Sequence, residues 1–274
     1  MRPTLVFQGQ TVAPAIFEQR VLRSAAALQA AGVGSGDVVA LMMHNSPEAL
    51  ELTVATRRLG AQWCPINWHY KTDEVQYILS DCSARIFVAD ASLLAGLPGL
   101  QPGATRVYSA RGQAAGPLAW EAVRDATAPI STDPAAPRGP MLYTSGTTGR
   151  PKGIVRAPST PEQALRAAEV RNLAYGFGPG MRALINAPMY HSAPNSYAVG
   201  VAQEGGTLYM EDRFDAERTL ALIAEHRLTH AYLVPTMYVR MLALPAAVRS
   251  TYDLRSMQFV ASPAAPVRPR SSAR

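Results

Sequence analysis

Cysteine is scarce in this sequence: Cys64 and Cys82 are the two in 274 residues. Two thiols cannot staple a chain of this length, which excludes a disulfide scaffold and makes a reducing compartment the expectation. Neither thiol has neighbours at metal-ligand spacing, so no zinc site is expected. No apolar run reaches the roughly 18 residues needed to cross a bilayer. The opening Met1-Arg-Pro-Thr lacks the apolar core of a secretory leader, and a cytoplasmic protein is the expectation. Lysine is nearly missing too. Of 26 basic residues only Lys71 and Lys152 are lysines, and the arginines are spread along the whole chain. Scattered arginine reads as solvated helix surface, and without interleaved aromatic residues it does not make a nucleic-acid face. The net charge of +6 favours anionic partners.

What is present is a globular composition, 48% hydrophobic and 17% charged, long enough to bury about 75% of the unfolded surface. Residues 1–125 alternate helix and strand, with no internal repeat. Apolar residues at Phe17, Val21, Ala25 and Leu28 mark an amphipathic helix from Val12 to Ala31, stopped by Gly32. Val38 to Met43 is a buried strand by composition. Ser46-Pro47-Glu48 supplies an N-cap, a proline at the first helical position and an acid in the first turn. Arg57, Arg58 and Gly60 close that helix. Cys64-Pro65-Ile66 is a short extended piece, Thr72-Asp73-Glu74 caps a helix through Leu79, and Arg85 to Ala89 is the next strand. This alternation predicts an α/β fold of mainly parallel sheets covered by helices.

Ala126 to Pro140 holds Pro129, Pro134, Pro137 and Pro140 among small polar residues, a linker or extended crossing segment. Thr160-Pro161-Glu162-Gln163 is a capping box opening a helix that runs to about Gly176. Strands are expected over Arg182–Ala187, Thr207–Met210 and Ala231–Val234. Helices are expected from Asp215 to about Arg227 and from Pro235 to Leu244. The resulting division is a first α/β subdomain (1–125), a Pro-rich linker (126–140), a second α/β subdomain (141–262) and a tail (263–274).

Met141-Leu-Tyr-Thr-Ser-Gly-Thr-Thr-Gly-Arg-Pro-Lys-Gly-Ile-Val155 is the most informative stretch. Two apolar runs flank ten residues made only of hydroxyl, glycine, proline and cationic types, which reads as strand, loop, strand. Glycine admits positive φ and lets a ligand approach the backbone N–H groups. Thr144, Ser145, Thr147 and Thr148 add hydroxyl donors, and Arg150 and Lys152 add positive charge. Such a loop suits a polyphosphate. It is not a P-loop, since Lys152 follows Pro151, which has no N–H to offer, and precedes Gly153. It is not a dinucleotide fingerprint either, because no helix pattern opens at Gly149.

Tyr143-Thr-Ser-Gly-Thr-Thr-Gly-Arg-Pro-Lys-Gly153 resembles the signature loop of the adenylate-forming superfamily of acyl-CoA synthetases, adenylation domains and luciferases. The resemblance implies that Thr144, Ser145, Gly146, Thr147, Thr148, Gly149 and Lys152 bind the β- and γ-phosphates of ATP. It also implies a carboxylic acid as substrate, Mg²⁺ as the accompanying ion and CoA as acceptor. Pro188-Met-Tyr-His-Ser-Ala-Pro-Asn195 follows a strand's C-terminal end, where open α/β sheets place ligands. On residues alone, His191 is equally a satisfied histidine at a proline-bounded turn. The segment is similar to the family's second motif, which makes His191 the candidate substrate-side residue, positioning rather than transferring protons. His69, in Asn67-Trp68-His69, reads as a capped or solvated loop histidine. Leu233-Val-Pro-Thr-Met-Tyr238 resembles the family's acyl-pocket helix, though its apolar stripe reads first as core.

The resemblance covers residues from about 10 to 262. Pro263 stands where the family usually has glycine, and the downstream aromatic-Thr-Glu motif, the ribose-binding acid, the hinge and the domain carrying the catalytic lysine are absent. Lys152 belongs to the loop and does not replace that lysine. The expectation is a truncated chain, a frameshift being one source of such a tail. Three functions are compatible: an acyl-CoA synthetase, impaired here; an adenylation enzyme that loads a carrier protein; and a non-catalytic remnant that binds nucleotide or a partner.

Overall fold

The computed structural model describes residues 3–144 and 151–262. The chain opens with β1 (Thr4–Phe7), β2 (Gln10–Val12) and α1 (Pro14–Ala30), then β3 (Val38–Met42), α2 (Pro47–Arg58), β4 (Gln62–Pro65) and α3 (Thr72–Asp81). It continues through β5 (Ile86–Asp90), α4 (Ala91–Leu94), β6 (Arg106–Ala110), β7 (Leu118–Ala119) and α5 (Trp120–Asp125). Next come β8 (Leu142–Thr144), β9 (Lys152–Ile154), α6 (Pro161–Tyr175), β10 (Arg182–Ile185), α7 (Ser192–Gln203) and β11 (Thr207–Met210). Last are α8 (Ala216–His226), β12 (His230–Tyr232), α9 (Pro235–Leu242), α10 (Ala246–Arg249) and β13 (Phe259–Ala261). None of the described helices is long and apolar enough to cross a membrane.

Two sheets carry the fold, as the alternation of helix and strand predicts. One has the order β4-β3-β5-β6-β7, parallel throughout. The other has the order β13-β12-β10-β11-β1-β2, parallel except for its last strand. The central strands β3 and β5 are buried at every position, as parallel strands with both faces covered must be. Side chains alternate between two cores with the period of a strand. Val39 and Leu41 join the large core shared with α1, α2 and the second sheet. Val38, Ala40 and Met42 join a smaller core with α3 and Phe87.

The chain's first strand lies in the second sheet, where β1 pairs in parallel with β11, Thr4 opposite Thr207. Residues 4–12 and 182–261 thus build one sheet, and residues 38–119 build the other. Gln8 and Gly9, with φ of 49° and 75°, turn β1 back into β2 with the positive φ that tight hairpins require. Because Gln10–Val12 is taken by β2, α1 begins at Pro14 rather than at Val12. The caps fall where the sequence places them. Ser46 accepts from Ala49 N–H, Thr160 and Gln163 form the capping box, and Asp215 accepts from Arg218 N–H. Gly176 closes α6 at φ 65°; a Cβ there would sit 2.6 Å from the Phe259 ring.

The arginines do more than coat a solvated surface. Arg23 donates to the carbonyls of Asp125 and Thr127, Arg58 to that of Thr132 and Arg182 to that of Arg227. The guanidinium fork thus ties irregular backbone to the helices, a geometry that lysine cannot copy. One arginine is buried outright. Arg124 donates to Glu51 at 3.0 Å, and Ser24 O–H donates to the same carboxylate, so α5 is locked to α1 and α2. Burial outweighs the pull of Arg124 and pushes the Glu51 carboxyl up to about 7. Both cysteines are free and buried.

A buried amide joins the two sheets. Asn45 is fully buried just past the end of β3. Its Nδ2 donates to the carbonyls of Ala187 at 2.9 Å and Glu211 at 3.1 Å, and its Oδ1 accepts from Met189 N–H at 2.8 Å. All three partners lie just past the ends of β10 and β11.

Three measurements check these locks. Asn45→Ala leaves one buried N–H and two carbonyls without partners; at roughly 1 kcal/mol or more for each, urea unfolding should show a loss of about 2–4 kcal/mol. An unchanged midpoint would remove the inter-sheet role. For Glu51, the folded value of about 7 lies above the ordinary 4.5. Between those values the folded chain binds more protons than the unfolded one, so stability should fall as pH rises through that window. The Glu51→Gln variant should flatten this slope, and a slope identical to wild type would show that another group titrates. Arg124→Met at pH 8 should cost about 3–5 kcal/mol, because it strands a buried carboxylate.

Candidate active site

The hairpin β8–β9 pairs Leu142 with Ile154, Tyr143 with Gly153 and Thr144 with Lys152. The sequence reading places Thr144 and Lys152 in the loop; both instead belong to strands, because the ladder extends to that last pair. Ser145, Gly146, Thr147, Thr148 and Gly149, together with Arg150, lie outside the described residues. Gly153 has a steric reason to be glycine. A Cβ there would stand 2.7 Å from Met141 Cε and 3.0 Å from the Tyr143 hydroxyl.

Helix α3 holds both arms of the hairpin. Tyr143 O–H donates to Asp81 Oδ2 at 2.5 Å, and Tyr77 O–H donates to the carbonyl of Pro151 at 2.9 Å. Burial and the neighbouring Asp81 carboxylate push the Tyr143 phenol up, so it stays a donor. Tyr77 and Asp81 lie four residues apart, on one face of the helix. Lys152 is exposed at the start of β9.

His191 is the residue before α7, on the loop that Asn45 secures. It lines a pocket of about 500 Å³ together with Tyr143, Tyr190, Tyr232, Tyr70 and Asn67. Hairpin and histidine loop therefore share one cavity, although they come from separate stretches of chain. The His191 ring lies 4.3 Å from that of Tyr190, and burial lowers its pKa. It is neutral at pH 7, able to offer a hydrogen bond or a ring face but no fixed charge.

Aromatic rings continue inward from there. Tyr190 meets Trp68 edge-on at 4.8 Å, and Trp68 lies 4.7 Å from His44. His44 Nδ1 bonds Asp90 Oδ2 at 2.7 Å, and Arg111 approaches the same oxygen at 3.2 Å. Behind this wall a second pocket of about 460 Å³ is lined by His44, Trp68, Asn186, Arg213 and Arg240. Arg240 lies 4.9 Å over the Phe214 ring. His69 is an exposed loop residue, as its sequence setting implies: its backbone N–H donates to Asn67 Oδ1, and its ring accepts from Trp68 Nε1–H.

Sequence reasoning finds the hairpin and His191 but passes over Asn45, Tyr77 and Asp81. The signal for Asn45 was there: it sits just beyond the C-terminal end of a strand, the same rule that singles out His191. Tyr77 and Asp81 carry no comparable mark.

The sequence and the fold are similar to those of known proteins. The chain is 30% identical over 250 residues to the indoleacetate–CoA ligase of Aromatoleum aromaticum, covering 88% of this chain and 48% of that protein. It is 32% identical over 239 residues to the long-chain-fatty-acid–CoA ligase FadD13 of Mycobacterium tuberculosis, covering 81% of this chain and 44% of that one. It spans about half the length of these curated relatives. Among solved structures, the inhibitor-bound N-terminal domain of FACL13 from Mycobacterium tuberculosis superposes with a TM-score of 0.81 at 27% identity, over 98% of this chain and 68% of that one. The amide bond synthetase McbA from Marinactinospora thermotolerans, 23% identical, has the same fold with a TM-score of 0.79, over 95% of this chain and 51% of its own. The family model described as AMP-binding enzyme matches residues 1–274, and the chain belongs to that family.

Proposed function

We propose that this chain is the phosphate- and acid-binding part of an AMP-forming ligase, which activates a carboxylic acid as its acyl-adenylate and passes it to the thiol of CoA. What supports the reading is the shared cavity. The hairpin that brackets the signature loop and the loop that carries His191 line one pocket. In the first step a carboxylate oxygen bonds to the α-phosphorus of ATP, the bond from that phosphorus to the bridging oxygen breaks, and pyrophosphate leaves. In the second the thiol attacks the acyl carbon and AMP departs.

Thr144, Ser145, Gly146, Thr147, Thr148, Gly149 and Lys152 would meet the β- and γ-phosphates through hydroxyls, backbone N–H groups and one ammonium. Each charge-assisted bond is worth about 1.5–3 kcal/mol, and their catalytic effect is to stabilise charge on the departing pyrophosphate. His191, neutral and packed at a tilt against the Tyr190 ring, would position the acid. The tyrosine-rich lining suits an apolar acid, in keeping with the indoleacetate and long-chain fatty acid named for the two relatives. Across the Trp68–Tyr190 wall, Arg213 and Arg240 give the second pocket a positive character suited to the phosphates of CoA. The described residues offer no cluster of three or more histidine, cysteine or acidic side chains for Mg²⁺, which leaves that ion to the nucleotide's phosphates and to water.

Because the chain spans half of its relatives, nucleotide binding without turnover is the second reading, and one experiment separates the two. Calorimetric titration of Mg·ATP should show affinity at least about ten-fold weaker in Lys152→Ala than in wild type, the worth of one such bond. Equal affinities would exclude the hairpin as the phosphate site. Pyrophosphate release on adding mixed aryl and alkyl acids supports the ligase; binding with no release for any acid supports the binder.

A further inference from the structure

A third cavity, of about 250 Å³, lies apart from both pockets above and shares no lining residue with either. Its walls are Phe17, Val21 and Leu22 of α1, Val54 of α2, and Pro134 and Pro137 of the crossing segment. The segment is strapped across the two helices. Ile130 N–H donates to the carbonyl of Leu22, Ala135 N–H to that of Arg58 at 2.9 Å, and Arg58 Nη2 to the carbonyl of Thr132 at 2.6 Å. With no N–H on either proline, the strap closes over the groove as an apolar roof.

The unusual member of this pocket is Arg57. It lines the cavity, is half-buried, and has no hydrogen-bonding or acidic partner among the described residues. Its neighbours show what a satisfied guanidinium looks like. Arg171 donates to Gln203 Oε1 and Asn172 Oδ1 and lies 3.8 Å from Glu204. Arg57 instead faces the positive charge of Arg171, and burial followed by that charge lowers its pKa. The buried Nε of Arg58, on the same wall, is also without a partner. A desolvated cation facing another cation is costly unless an anion joins it.

We propose that this cavity is a binding site for a small amphipathic monocarboxylate, its carboxylate on Arg57 and its apolar body between the α1–α2 groove and the proline roof. The planar fork of arginine fits a carboxylate in a two-bond geometry. The Glu18 carboxylate on the same wall disfavours a doubly charged phosphate. The apolar walls favour an aryl or short alkyl group over a fully hydrated ion. An occupant would pin Pro134–Pro137 to the helices, directly upstream of β8.

Ligand-detected NMR titrations with benzoate, its uncharged match benzamide, and inorganic phosphate test the site in wild type, Arg57→Met, Leu22→Trp and His191→Ala. Arg57→Met removes an unpaired cation and should melt no lower than wild type; Leu22→Trp blocks the cavity without touching the charge. Benzoate should still bind His191→Ala, in which the tyrosine-lined pocket is weakened, and should bind at least about ten-fold more weakly when Arg57→Met or Leu22→Trp is added to that variant. Benzamide and phosphate should bind none of them comparably. The site is overturned if benzoate fails to bind wild type, if neither Arg57→Met nor Leu22→Trp weakens it, or if phosphate competes equally. Loss only in His191→Ala would send the acid to the tyrosine-lined pocket, overturning this site while leaving the ligase reading standing.

Discussion

The ligand side of this molecule depends on one buried amide. Two sheets of different sequence origin must present their strand ends to a common cavity, and the Asn45 side chain bridges them. Asn45 supplies three polar contacts at that seam, two as donor and one as acceptor. An asparagine does this where a carboxylate could not, because both N–H and C=O groups need partners there. The loop that carries Tyr190 and His191 starts from that seam. Its rings are then held by Trp68 and, through Trp68, by the His44–Asp90 pair of the first sheet. The cavity's shape is thus a property of the junction, and neither sheet alone would form it.

Buried charge plays the same part deeper in. Glu51, Arg124 and Ser24 bring three helices to one point, and the irregular chain after α5 leaves from there. Such a cluster adds little net stability over an apolar packing of equal volume, but it allows few alternative arrangements. The crossing segment behaves similarly. Its prolines deny it a sheet, and arginines catch its carbonyls instead. Arg57 is the guanidinium of this neighbourhood that these contacts leave over.

The hairpin shows how much of a site can be read from composition. Its glycines, hydroxyls and single proline are the basis for proposing a polyphosphate site, and the flanking apolar residues announce the two strands that the structure pairs. The turn is nevertheless shorter than it reads, because Thr144 and Lys152 complete the ladder. That pairing is a contact between residues eight apart, and residue types with strong turn preference hide it. The clamp from Tyr77 and Asp81 was illegible for a similar reason: both residues suit any exposed helix face.

What the sequence determined by itself is local: the caps at Ser46, Thr160 and Asp215, the stop at Gly176, the buried strands at Val38 and Ile86, and the apolar flanks of the hairpin at Leu142 and Ile154. These follow from backbone sterics and short-range hydrogen bonding, which act within a few residues. Tertiary structure alone decided that Thr4–Val12 would join the sheet of residues 182–261, that Asn45 would bind three backbone groups past two strand ends, and that Glu51 would keep its carboxyl beside Arg124. Each of those pairs partners separated by 70 residues or more. Their energies come from desolvation and geometry at the meeting point, and a linear string of residues carries no direct record of either.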